Sequence, residues 1–407
     1  MFSDIIVVGG GASGMMAAIQ CARQNKQVVI LEHKDRVGKK ILATGNGKCN
    51  YTNLSQTENC YRSNESSFPM KVINQFDVHD TIAFFEELGI VPKEKNGYLY
   101  PNSEQAASIL DVLRMELDYL GVKIYCDEHV KIIKKGKHTF TLETNHNIYQ
   151  SKKIILCTGG RASANLGSDG SGYELAKQMG HTICKTAPAL VALKSVGSFF
   201  KGVAGVRTQA RITLLIDKNV ILSEAGELQL TNYGVSGIPV FQISRYATLA
   251  LDKKNKVEME IDFLPEMNET DCFSMLLKRK NQNGYKYMED FMVGMLNKKL
   301  ITMILKEAKI DLNMVADQLS KQQLKSIINK IKHFHITITD CNPFEQAQVC
   351  AGGVDTTKIH SETMESKIVK GLYFAGEIVD VDGTCGGYNL QWAWSSGYVA
   401  GNAAVLN

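Results

Sequence analysis

Asp4 to Gly14 reads DIIVVGGGASG, a short apolar run rich in β-branched residues that meets glycines at G-x-G-x-x-G spacing and then turns helical. Gly9 permits a tight turn, Gly11 lets the main chain approach a pyrophosphate, and Gly14 lets the following helix pack on the strand. Ala12 and Ser13 open that helix, whose first amides carry the positive end of its dipole. VVILE follows as a second strand. It ends at Glu32, eighteen residues after Gly14, where a carboxylate can accept from a ribose diol, and His33 is next in the chain. Strand, glycine turn, helix, strand and acid in this order predict a bound dinucleotide.

The far end of the chain separates a nicotinamide from a flavin cofactor. LYFAGE, Leu372 to Glu377, repeats the strand-to-glycine-to-acid pattern at Gly376 and Glu377. An extended cofactor needs such an acid for its ribityl hydroxyls. DGTCGGYNLQWAWSSG follows, with Gly386-Gly387 ahead of a helix opened by Tyr388, Asn389 and Leu390. Amides at that helix start can face a flavin's N1 and C2 carbonyl and stabilise negative charge on the reduced ring. A nicotinamide has no use for this second region, so the cofactor is expected to be FAD. Thr158, Gly159 and Gly160 can bring a third strand end to the nucleotide, and Val130 in HVKIIKK sits where FAD proteins of this architecture offer main chain to adenine. RVGKKILATGNGKCNYTN, Arg36 to Asn53, is too long for an ordinary turn. Lys39 and Lys40 can meet phosphate charge there, and Thr44, Gly45, Asn46, Gly47, Lys48, Cys49 and Asn50 can line the cofactor towards its ring.

Composition narrows the rest. At 407 residues the chain is expected to form two or three domains. A net charge of +4 does not argue for a nucleic-acid binder, and none is expected as a partner. Neither a membrane-length apolar run nor a signal peptide is legible, so the expected location is the cytoplasm. The ten cysteines form no C-x-x-C pair, which disfavours zinc and thiol-relay chemistry. His333 and His335 alternate on one strand face without a third ligand, and no metal is expected.

Along the chain, HDTIAFFEELG and SEQAASILDVLRMELDYLG read as helices, with KNGYLYPNS between them as a turn. From about Lys185 to Phe263 the texture is mainly short strands. Asn268 to Lys332 is helical and lysine-rich, and its basic residues read as a solvated face. LQWAWSSGYVAGNAAVL closes the chain as a helix.

These strings, with YLYPNSEQAASILDVL, GSDGSGYELAKQMGH, GELQLTNYGVSGIPVFQISR and AGGV, resemble a bacterial flavoprotein family that contains aminoacetone oxidases and dehydro-bile-acid reductases. The resemblance spans essentially the whole chain. It implies an α/β, FAD-binding Rossmann-like domain of the two-dinucleotide-binding class, with an inserted β-rich substrate domain and a small helical subdomain. The corresponding division is 1–187 and 346–407 for the FAD domain, 188–267 with 334–345 for the substrate domain, and 268–333 for the helices. The family usually carries arginine where Lys48 stands and often histidine where Asn232 lies, so no imidazole is available at the latter position.

The implied activity is hydride transfer between a small or medium organic substrate and flavin N5, by an enone-type reductase or an amine oxidase. Candidates for the proton transfer and substrate binding are Tyr100, Tyr233 and Arg161. No second G-x-G-x-x-G is present for a nicotinamide, so NAD(P)H would be a transient electron donor. A flavin-dependent nucleic-acid-modifying enzyme and a non-catalytic flavin-binding protein are the alternatives. The oligomeric state is not legible.

Overall fold

Ile5 to Val8, Val28 to Leu31 and Ile154 to Leu156 are continuous apolar runs, as expected for parallel strands covered on both faces. In the computed structural model, which describes residues 1–406, they form the centre of one sheet. Its order is Lys123–Tyr125, Val28–Leu31, Phe2–Val8 and Ile148–Leu156, continued antiparallel by Phe140–Thr144 and Val130–Lys135. Leu372–Phe374 pairs parallel with the upper half of Ile148–Leu156. Register then decides where a ligand can lie. Val8 pairs with both Leu31 and Leu156, and Leu156 with Phe374, so four strands end at one edge. Gly9, Glu32, Cys157 and Ala375 all emerge there, at the carboxyl ends of the strands.

The helix Ala12–Arg23 packs against the closing helix Tyr388–Leu406. Gly397 and Gly401 bring the two main chains into contact: a Cβ would lie 2.5 Å from the Ser13 carbonyl oxygen at the first and 2.6 Å from that of Ala17 at the second. The Cys21 thiol donates to the Gly401 carbonyl at 3.2 Å. The two ends of the chain thus share one core.

KNGYLYPNS is not a simple turn. Pro92–Lys95 and Tyr98–Pro101 form a hairpin closed by Asn96 and Gly97, both at positive φ (53° and 85°). That pair matches the twist of the flanking strands, which is why Asn-Gly is the favoured two-residue connection. Thr52–Asn53 pairs with Tyr98 and Leu99, so the end of the Arg36–Asn53 stretch is a strand. The stretch also holds a short helix, Lys39–Ala43.

The chain divides into two compact units, Met1–Ala187 with Phe344–Asn407, and Pro188–Pro343. In the second, six strands close a barrel: Leu193–Ser195, Gly234–Ser236, Asn219–Leu230, Arg207–Ile216, Val257–Asp262 and Phe334–Cys341. Val257, Met259 and Ile261 point inward, alternating with Glu258, Glu260 and Asp262. The expectation of mainly short strands up to Phe263 needs correction, because Ile238–Asp252 is a helix. Its buried Val240, Ile243, Ser244, Ala247 and Thr248 repeat at helical spacing, and Pro239 sits in the first turn, where an N–H has no partner to lose. Ile301, Ile304, Leu305, Ile327, Ile328 and Ile331 from the lysine-rich helices join the barrel side chains in one core, while Lys278, Lys298, Lys306 and Lys325 are exposed.

Candidate cofactor site

The glycine turn is built by contact on one side and by open space on the other. Gly9 has φ +101°, and a Cβ there would lie 2.5 Å from the Cys157 carbonyl oxygen. At Gly11 a Cβ would meet nothing within 4 Å. No side chain caps the helix that Gly11 begins, so the first amides, around Ala12, Ser13 and Gly14, are not covered by a capping group. The Ser13 hydroxyl is turned away, donating to the Ala375 carbonyl at 3.3 Å. Open backbone beside uncapped amides is what a pyrophosphate requires.

Glu32 is 7% exposed, and its two oxygens accept from the amides of Gly10 and Lys34, both at 2.8 Å. These bonds fix the carboxylate while leaving lone pairs for a diol. The His33 ring lies 3.5 Å from Glu32 and 3.8 Å from Asp169, and burial lowers its pKa against the pull of those carboxylates. His33 Nε2 is buried and makes no hydrogen bond, Asp169 standing 3.8 Å away. Val130 is buried, and its segment is carried over the strand end by amide bonds from Asp127 to Lys34 and from Glu128 to Glu32.

The lysines behave differently from the sequence expectation. Lys39 pairs with Asp35 one turn away, at 2.5 Å. Lys40 Nζ is held by Glu377 at 2.7 Å and by the Ala162 carbonyl at 3.2 Å. Lys48 reaches outward to Glu104 at 3.1 Å, which also binds Lys93. Each ammonium therefore has a carboxylate partner rather than standing open to a phosphate. Glu377 accepts from the Cys350 amide at 2.8 Å as well, and a Cβ on Gly160 would lie 3.1 Å from its carboxyl carbon.

Beyond Thr44 the stretch runs against the far end of the chain. Gly45, Asn46, Gly47 and Lys48 are exposed, while Cys49 and Asn50 are buried. The Asn53 amide donates to the Gly386 carbonyl at 3.0 Å, and the Trp394 indole donates to the Tyr51 carbonyl at 2.9 Å. Gly387 has φ +91°, and a Cβ there would lie 2.7 Å from Thr52 main chain and 2.9 Å from Asn50 Oδ1. Only glycine fits this approach. Asn50 Oδ1 and Thr158 Oγ1 are buried without partners, which is costly unless a ligand supplies donors. The residues present therefore fit an extended dinucleotide: open amides at one end, a fixed acid, and unpaired polar atoms where ribityl chain and ring would lie.

Some expected contacts are spent internally. Asn389 closes its own turn, accepting from the Gly383 amide at 2.8 Å and donating to the Gly383 carbonyl at 2.9 Å. Gly376 is bound at both main-chain groups, by Ser396 and Trp392. Leu390 and Tyr388 are half-buried, the latter with its ring edge-on to Tyr61 at 5.9 Å. Burial holds the Cys49 and Cys350 thiols protonated, pushed up to about 12, which leaves them inert.

Of the three catalytic candidates, Tyr100 borders the stretch, its ring 3.8 Å from where a Gly45 Cβ would lie. Burial, with Tyr98 and Glu104 nearby, raises its pKa. Arg161 is exposed, its guanidinium 4.7 Å from the centre of the Phe344 ring. Tyr233 belongs to the barrel unit, where its hydroxyl accepts from the Asn342 amide at 3.0 Å. The sequence reading passed over Gln391, Thr52 and Asn53, which join the two segments. A glutamine among the aromatics of YNLQWAW was the available signal.

Comparison with known proteins gives this geometry its family. The model of the HI0933-like protein Rossmann domain matches residues 3–403. A 3-dehydro-bile acid delta(4,6)-reductase from Clostridium scindens is 44% identical over 98% of this chain and 98% of its own. A ribosomal RNA dihydrouridine synthase from Haemophilus influenzae is 33% identical over 98% and 97%. Among solved structures, a 3-ketosteroid-delta4-(5alpha)-dehydrogenase from Rhodococcus jostii RHA1 aligns over 100% of this chain and 97% of its own, with TM-score 0.50 at 13% identity, a likeness of fold. With a family match across nearly its full length and the Rossmann sheet and glycine turn in place, the chain belongs to the HI0933-like family.

Proposed function

We propose that the protein is an FAD-dependent oxidoreductase that saturates a ring carbon–carbon double bond conjugated to a carbonyl in a small or medium organic substrate. What carries the reading is the open backbone at Gly11 beside uncapped amides, together with the buried, unpaired Thr158 Oγ1 and Asn50 Oδ1. The names of the bile-acid reductase and of the dihydrouridine synthase support it, since each describes addition of hydrogen across such a bond.

FAD, once bound and reduced by two electrons, would supply hydride from N5 and return to its oxidised form. The amides of Gly11, Ala12 and Ser13 bind its pyrophosphate, Glu32 its adenosine ribose, and Val130 main chain its adenine. Thr158 and Asn50 would give partners to its ribityl chain and ring edge, and the amides of Gly387 to Leu390 would hold its pyrimidine side. Saturation also needs one proton at the carbon next to the carbonyl. Tyr100 is the donor: burial keeps its hydroxyl protonated through neutral pH, and its ring borders the cofactor stretch. Arg161 binds a polar group of the substrate. NAD(P)H would be the transient electron donor that restores the reduced flavin.

Uridine in RNA is a second reading. Residues 188–343 carry 21 Lys and Arg against 16 Asp and Glu, so the chain's excess of positive charge lies in the barrel unit. Anaerobic assays separate the readings. Bleaching of the flavin by NAD(P)H, with reoxidation by a cyclic enone and not by RNA, is the expected result. Reoxidation by uridine-bearing RNA alone would favour the second, and bleaching by amines would make the enzyme an oxidase. A protein that purifies colourless and takes up no FAD would overturn the proposal.

A further inference from the structure

Gln391 is completely buried in the first turn of a helix whose neighbours are tryptophans. Burying an amide is costly unless every polar atom is paired, and here all of them are. Its Nε2 hydrogens are shared among the Phe76 carbonyl (3.1 Å), the Asp77 carbonyl (3.3 Å), Thr81 Oγ1 (2.9 Å) and Ser395 Oγ (2.9 Å). Its Oε1 accepts from the Thr52 hydroxyl at 2.5 Å. Its own main-chain amide donates to the Gly387 carbonyl at 2.9 Å. The side chain thus ties the Thr52 strand to this helix, while the backbone bond to Gly387 is the helix's own first turn and places the glutamine one turn from the glycine pair.

Packing alone does not call for this arrangement, because a leucine or methionine would fill the space without five polar partners. A fully satisfied buried network instead specifies one arrangement of the groups it joins. Thr52 lies two residues after Asn50, whose unpartnered Oδ1 lies 2.9 Å from the place of a Gly387 Cβ. A slip of the Thr52 strand moves that oxygen away from the glycine turn.

We propose that Gln391 is a positioning residue for the cofactor. It acts through Thr52 to hold the Asn50 amide against the Gly386-Gly387 turn, in the geometry that would receive the flavin ring. This rests on the FAD reading above. Losing one buried bond of this kind changes an affinity by roughly tenfold.

The test uses full-length protein reconstituted with FAD, measuring FAD Kd, the flavin absorption band and Tm. Gln391→Met and Thr52→Val are expected to raise Kd roughly tenfold and shift the band. Thr52→Ser, which keeps the hydroxyl, is expected to restore both. Ser395→Ala removes a partner on the other side of the network and is expected to lower Tm while leaving Kd within about twofold. The inference is overturned if Thr52→Val leaves Kd unchanged, or if Ser395→Ala weakens FAD as much as Gln391→Met at equal loss of Tm. Failure of the unaltered protein to bind FAD would instead overturn the FAD reading itself.

Discussion

Lys40 and Glu377 stand 337 positions apart in sequence and meet as an ion pair of 2.7 Å. The pair ties the Arg36–Asn53 stretch to the strand end that follows Phe374. Both side chains are only about a fifth to a quarter exposed (26% and 18%), where losing one partner leaves the other poorly solvated. Glu377→Ala is expected to cost about 1–2 kcal/mol in urea denaturation, discounted for that exposure, and to weaken FAD binding. A variant that keeps both stability and FAD affinity would remove the pair from the site.

Gly9 and Gly11 separate folding from binding. Gly9→Ala forces a Cβ against the Cys157 carbonyl at positive φ, and is expected to destabilise by more than about 2 kcal/mol. Gly11 has φ −78°, which alanine adopts freely, and its Cβ enters open space. Gly11→Ala should change stability by no more than about 0.5 kcal/mol, yet lower FAD affinity at least roughly tenfold, because the methyl group occupies the pyrophosphate path. Thermal unfolding and FAD titration of the two proteins give the comparison.

Tyr100→Phe is expected to leave FAD content and reduction by NAD(P)H intact while slowing substrate saturation about 100-fold. The working form of the phenol is protonated, and burial raises its pKa above the ordinary phenol range. Loss of activity through this group should therefore begin only in strong alkali. Rates of flavin reduction and reoxidation, measured separately across pH, test both points.

His181 sets an acid limit on the nucleotide-binding unit. It is 3% exposed, pairs with Ser366 at 2.7 Å and stacks edge-on against Phe374, and burial lowers its pKa to about 4. The unfolded chain takes up the proton near the ordinary value of 6.5, before the folded chain does. Stability is then complete above that value and declines as pH falls towards 4, by about 3 kcal/mol in all. Urea midpoints at pH 7 and pH 5 should differ accordingly, and His181→Phe should flatten the difference.

The sequence by itself determined the Rossmann core, the glycine turn with Glu32 behind it, and the second glycine pair near the C-terminus. These signals are local. Gly9 and Gly387 adopt positive φ, a local main-chain demand that glycine meets, and a buried parallel strand announces itself by unbroken apolar character. The Asn96-Gly97 hairpin and the helix Ile238–Asp252 are local signals too, carried by the turn chemistry of KNGYLYPNS and by the helical period of GIPVFQISR. Tertiary structure alone decided which side chains remain available. Lys40 is claimed by Glu377, Lys39 by Asp35 and Asn389 by its own turn, while Asn50 and Thr158 are left unpaired. Gln391 acquires its role only because folding brings Thr52 and Thr81 to it from more than three hundred positions away. Charge pairing and burial depend on the partners that folding supplies, and neighbours in the chain do not encode them.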